Sequence, residues 1–224
     1  MFGLEWLRAR TKGWGLLEHA RGGLPLLGEG YTTDDNARAL LPPGAQDRAL
    51  AQTYLAFLAY MQREDGRFRN DLSLEGRHED EGEVEDPTGR AVWALAAASL
   101  RLGFPDLQEA ARSVLEQAYR AVEGLSAPRA QAYALLGLLA LRDAPARELA
   151  HLLGQRLLRA FREAEAAWPF PGPLIYANHR PVEALWAYAQ AFGDGEAQTL
   201  ALRAKGFLDQ LYFQEDPEGP FFDP

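Results

Sequence analysis

Cysteine is absent from the 224 residues. That excludes a disulfide framework, thiolate metal ligation and a cysteine nucleophile in one step. Lysine is nearly absent too: Lys12 and Lys205 are the only two, so 21 of the 23 basic residues are arginines. The bias fits a thermophile or a coding preference and carries no chemistry of its own. Positive charge is in deficit, with a net charge of −9, which argues against nucleic acid, whose recognition needs clustered cations. The longest apolar runs, Ala91–Leu100 and Ala132–Leu141, fall short of the about 18 residues that suggest a membrane span, so no membrane partner is expected. Met1–Arg10 carries Glu5, Arg8 and Arg10 inside any apolar stretch, so no signal peptide is read there and a cytoplasmic protein is expected. The four histidines lack metal-pair spacing, and neither a phosphate loop nor a dinucleotide fingerprint nor a serine nucleophile elbow occurs. No metal and no cofactor are expected.

What is present is a chain 47% hydrophobic, enough for one sizeable core and a single domain over residues 1–224, with an irregular tail from about 214. Apolar periodicity predicts about nine helices: within 3–20, Asp34 to about Leu41, Gln46–Arg63, Pro87–Leu102, Pro105–Glu123, Pro128–Arg142, Ala144–Ala167, Pro181–Phe192 and Glu196–Phe213. Leu50, Tyr54, Phe57, Leu58 and Met61 make one stripe on the third. Pro42-Pro43-Gly44 stops the second, and Ser126 caps the sixth. No stretch demands a strand.

The most informative segment is Gly30-Tyr31-Thr32-Thr33-Asp34-Asp35-Asn36-Ala37-Arg38-Ala39-Leu40. Thr33 is placed to cap a helix, Asp34 and Asp35 suit the positive end of its dipole, and Arg38 follows one turn later on the same face. Similar starts recur at Arg90, Arg129 and Arg180, spaced 52, 39 and 51 residues apart, each within the first turn or so of a helix and followed by small and apolar residues. Repetition near the length of one helical hairpin points to an all-α chain of αα-hairpins. The fold class read from it is an α/α toroid, an incomplete six-hairpin-like barrel whose inner helices open their N-termini at one rim. The plainer alternative is a helical bundle or solenoid with salt bridges at its helix starts.

The same residues resemble a known family. Gly30–Leu40, Asp65-Gly66-Arg67-Phe68-Arg69-Asn70, Glu85-Asp86 before Gly89-Arg90-Ala91-Val92-Trp93, and Tyr176 to Leu185 are similar, in order, to bacterial α/α-toroid proteins that occur beside or fused to glycosyltransferases. That group is related in architecture to six-hairpin glycosidases. The resemblance covers about residues 19–190 and implies a carbohydrate context. It also shows departures: Ala177 stands where the family has aspartate, His179 and Val182 differ from its last motif, and Phe170-Pro171-Gly172-Pro173 replaces an acidic residue.

Glycoside hydrolysis uses two carboxyl groups flanking the bond, one protonated and one ionised. The candidates here are Asp34, Asp35, Asp86 (or Glu85) and Glu183, each with the alternative of capping its helix or pairing one turn on, Asp34 with Arg38, Asp86 with Arg90, Glu183 with Arg180. Tyr31, Arg38, Arg90, Arg129, Trp168, Tyr176, His179 and Arg180 are the substrate-binding candidates, the aromatics as stacking platforms for sugar rings. Trp93, Tyr133 and Trp186 are further aromatics at helix starts, with a core role as the alternative. The acidic run from Glu75 to Asp86 lacks EF-hand spacing and reads as a solvated loop. The expected function is a carbohydrate-active protein with a carbohydrate ligand, a glycoside hydrolase if the carboxylates act. The rival is a non-catalytic glycan-binding or scaffolding module partnering a glycosyltransferase.

Overall fold

The computed structural model describes residues 4–41, 47–79 and 84–213, and the backbone of two residue pairs in the tail. The first predicted helix is cut short: α1 is Leu4–Arg10 and gives way to a hairpin of β1 (Thr11–Lys12) and β2 (Gly15–Leu16). Gly13, at φ +50, makes the turn. A second hairpin precedes the first motif, β3 (Ala20–Arg21) with β4 (Leu24–Pro25). Next come β5 (Tyr31–Thr32), α2 (Thr33–Leu40), α3 (Arg48–Met61) and β6 (Asp71–Leu72), with β5 and β6 paired antiparallel. Then follow α4 (Asp86–Arg101), α5 (Pro105–Glu123), α6 (Pro128–Leu138), α7 (Ala144–Glu163), α8 (His179–Phe192) and α9 (Gly195–Tyr212). β7 (Glu215–Asp216) and β8 (Gly219–Pro220) pair in the tail. The described residues thus form a predominantly all-α fold of nine helices, and the strands are two-residue pairings that fasten loops. The Pro42-Pro43-Gly44 stop, Gln46 and most of the tail lie outside the described residues.

Helix starts follow local chemistry. Asp47, Asp143 and Asp194 accept backbone amides of α3, α7 and α9, while Pro87, Pro105 and Pro128 occupy first turns where no amide is needed. Two expected caps move. The hydroxyl of Thr32, not Thr33, accepts the Asp35 amide at α2. Ser126 does not cap α6: the Glu85 carboxylate reaches across from the start of α4 and accepts from the amides of Ser126 (2.8 Å) and Ala127 (2.7 Å) and from the Ser126 hydroxyl. α6 also ends at Leu138 rather than Arg142, its chain leaving through the tighter Ala140 to Gly137 and Leu141 to Leu138 amide bonds.

Packing arranges the helices as four hairpins in two layers. α2, α4, α6 and α8 pack side by side in one layer, α3, α5, α7 and α9 in the other, and each even helix packs on the odd helix that follows it. One continuous core lies between the layers, with Tyr54, Phe57, Phe161 and Tyr188 among its largest buried side chains. The predicted stripe of α3 is buried throughout. α4 and α6 meet most closely. A Cβ on Gly89 would stand 2.9 Å from Ala130 Cα, and one on Gly137 would stand 2.7 Å from Trp93 Cα. These two bare positions let the backbones touch, which brings the helix starts together. No helix among the described residues is long and apolar enough to cross a membrane.

Candidate functional site

The first motif is held by the loops around it. Thr33 donates its backbone amide to Asn70 O (2.8 Å) and its hydroxyl to Arg69 O (2.5 Å). The buried Asn36 side chain accepts from Leu16 N and donates to Thr32 O, tying β2 to α2. Gly30, at φ +75 and pressed on Leu72 O, permits the turn into β5. The first turn of α2 is therefore fixed from three sides, and Asp34 and Asp35 project from a rigid base.

The helix starts then interlock. Arg90 of α4 pairs with Asp34, which also pairs with Arg38. Arg38 reaches Asp35 as well, at 3.2 Å. Asp86 does not take Arg90 one turn on; it accepts from Arg129 Nε of α6 at 2.5 Å and from the Tyr176 hydroxyl just before α8. Arg90 instead donates to the Tyr133 hydroxyl at 2.5 Å, with its guanidinium 4.1 Å from that ring centre. Arg129 lies 4.0 Å from the Tyr176 ring centre. Arg180, the fourth of the repeated arginines, sits 4.8 Å over the Trp93 ring and donates to Glu183 at 2.5 Å. All four arginine-bearing starts contact another start or its neighbour, so the N-termini of the even helices gather at one end of the molecule.

A polar cleft of about 440 Å³ opens there, lined by Asp34, Asp35, Arg38, Asp86 and Tyr176, with Glu18, His19, Thr32 and Asn70 at its edges. Burial pushes the Asp34 carboxyl above the usual range despite the opposing guanidinium charges of Arg90 and Arg38, and Asp35 and Asp86 push it further. Burial raises Glu18 as well. Tyr133 is pushed up to about 12 by burial, and Tyr176 is raised by burial and by donating to Asp86. Both phenols therefore stay protonated donors across the physiological range.

Three of the four expected carboxylates thus share one cleft, and Glu183 does not join them. It lines a separate groove between α8 and α9, apolar on most sides and about 1170 Å³ in volume, together with His179 and Trp186. Sequence spacing fixes the face of α8 but not how far the fourth hairpin swings from the first. Burial and the adjacent Arg180 lower the His179 imidazole. Tyr176 lines both hollows. Two aromatic expectations are corrected. Tyr31 is 3% exposed with its ring against Phe57, a core residue rather than a rim platform. Trp168 donates its indole N–H to Gly172 O and packs edge-on against Phe207 of α9, away from the cleft. Glu18 and His19 carry no sequence signal for binding, whereas the Asp65–Asn70 turn is a segment that can edge the cleft, and Asn70 does so. Glu18 and His19 lie in a stretch read as helix, while Asn70 closes the Asp65–Asn70 motif. Among the described residues no cluster of three or more side chains is arranged to hold a metal; Asp80, Glu81 and Glu83 of the acidic run lie outside them.

Comparison of the chain with family models and with curated proteins gives no match.

Proposed function

We propose that the chain is a carbohydrate-active protein whose cleft between the α2 and α4 starts binds a saccharide, and that its four hairpins form a segment of an α/α toroid. The observation that carries this reading is the convergence of Asp34, Asp35, Asp86 and Tyr176, from three separate helix starts, on one polar hollow. Carboxylates and a phenol at fixed positions are hydrogen-bond partners for hydroxyls, and the Tyr176 ring, 43% exposed, offers a face for a sugar ring.

Two modes remain within this reading, and the pairing favours holding over cleavage. Asp86, 6% exposed, is engaged by Arg129 and Tyr176, and Asp34 by two guanidiniums. Ala177 adds no carboxylate at the fourth start. A glycan-holding module, partnering a glycosyltransferase, fits these contacts. Hydrolysis, the second reading, is favoured by one feature: burial pushes Asp34 toward the protonated state an acid needs, and Asp86 stands in the same cleft.

An oligosaccharide panel read first by thermal stabilisation and then by reducing-end release separates the modes. Stabilisation without release selects the binding module. Release that disappears in Asp34→Asn and in Asp86→Asn, with Asp35→Asn as a further test of the same cleft, selects hydrolysis. Absence of stabilisation by every sugar overturns the carbohydrate reading.

A further inference from the structure

Beside the acidic cleft lies a smaller hollow of about 170 Å³ with the opposite character. Arg63, Arg67 and Arg69 line it, backed by Glu85 and the α5–α6 junction at Gly124 and Leu125. Its placement follows from the Asp65–Asn70 turn. Arg63 N donates to Arg67 O and Arg69 N donates to Met61 O, so the segment runs extended alongside the end of α3. In an extended segment successive side chains alternate. Phe68 enters the core at 3% exposure, its amide held by the Thr88 hydroxyl, and the arginines on either side of it turn the other way, to the hollow.

One acid, Glu85, faces three guanidiniums in this lining. The Glu85 carboxylate is committed to the start of α6 through three hydrogen bonds. Arg63 has a loose ion pair to Asp65 at 3.5 Å. The half-buried guanidinium of Arg69 makes no side-chain hydrogen bond or ion pair among the described residues. A guanidinium fork with no protein acceptor is open to a ligand, and carboxylate or phosphate oxygens match it in charge and geometry. In a chain of net charge −9, this is a local reversal.

The two hollows adjoin, with Asn70 and Val84 lining both. We propose that the arginine hollow is an anion subsite and that the ligand is an acidic saccharide, its ring in the cleft and its carboxylate or phosphate among Arg63, Arg67 and Arg69. The identity of the ring rests on the saccharide reading above; the anion does not. Polarity sets the orientation. A negative substituent is repelled by Asp34, Asp35 and Asp86 and drawn to the arginines, while neutral hydroxyls donate to the carboxylates.

Calorimetric titration of the whole chain at low salt with glucose, glucuronate, glucose 6-phosphate and inorganic phosphate, repeated on Arg69→Gln and Arg63→Gln, tests this. Glucuronate or glucose 6-phosphate binds at least about tenfold more tightly than glucose, and Arg69→Gln removes most of that advantage. The tighter of the two names the anion. Added salt weakens the charged ligands and leaves glucose unchanged. Both variants lose only side-chain contacts at the surface, and an unchanged melting temperature confirms their fold. Arg69-dependent binding of inorganic phosphate with no gain from any sugar upholds the subsite and overturns the saccharide. Equal binding of glucose, glucuronate and glucose 6-phosphate overturns the subsite and leaves the saccharide. Binding of none of the four overturns the proposal.

Discussion

At the scale of single residues, Asp86 does the most joining: one carboxylate receives Arg129 from α6 and Tyr176 from before α8. Asp86→Asn keeps the shape but leaves a half-buried guanidinium without its counter-charge. Loss of about 1.5–3 kcal/mol in urea unfolding is expected, with Tyr176→Phe costing less because only a neutral donor goes. The two losses, measured singly and together, fall short of additive, since both remove the same contact. Such joints were only half legible in the sequence. Asp34 with Arg38 follows from helical spacing, whereas Asp86 with Arg129 spans 43 residues and needs two helices side by side. The backbone strain at Ala177 was not legible: it adopts φ +50, a conformation that aspartate and asparagine enter more readily than alanine. The backbone there suits the aspartate that the resemblance leads one to expect.

At the scale of helices, the caps and the seams can be tested separately. The Asp47 carboxyl is held below the usual range by the Arg8 hydrogen bond and the α3 amides. The folded state therefore binds this proton less readily than the unfolded chain, so the stabilisation is complete above about pH 4 and is lost as pH falls further. Asp47→Ala costs about 1 kcal/mol at pH 7 and progressively less as pH falls below about 4, as urea midpoints across that range would record. At the α4–α6 seam, Gly89→Ala drives a methyl into the Ala130 backbone. A loss of about 1–3 kcal/mol is expected, against none for Gly103→Ala, where nothing lies near the added carbon and φ is not left-handed. Helix existence was readable because proline and aspartate mark starts with their own chemistry, and α5 falls on its predicted bounds. The two-residue strands were not, since two residues show no alternation. Glu85 at the α6 start was not, because that carboxylate comes from another helix.

At the scale of the whole molecule, the hairpins are an array whose contacts run between neighbours, and stability in such arrays depends on neighbours on both sides. α4 and α6 are flanked on each side within their layer; among the described helices α9 packs chiefly on α8 and α7. Hydrogen exchange followed by mass spectrometry should show α9 amides exchanging at least about tenfold faster than those of α4 and α6. Uniform protection would mean that the array opens as one unit. The sequence repeat disclosed the order of the hairpins and the gathering of their starts, but not the separation of Glu183 from the other carboxylates. That separation is an angle accumulated over several packed interfaces, and no single spacing encodes it.

The seam at Gly89 and Gly137 also bears on descent. Carboxylates in the cleft can be exchanged as ligands change, and outward-facing positions can drift, but a side chain at either glycine must push main chain against main chain. A lineage that retains this contact keeps both places bare, 48 residues apart, whatever its members have come to bind. Two vacant positions are the more durable mark of kinship.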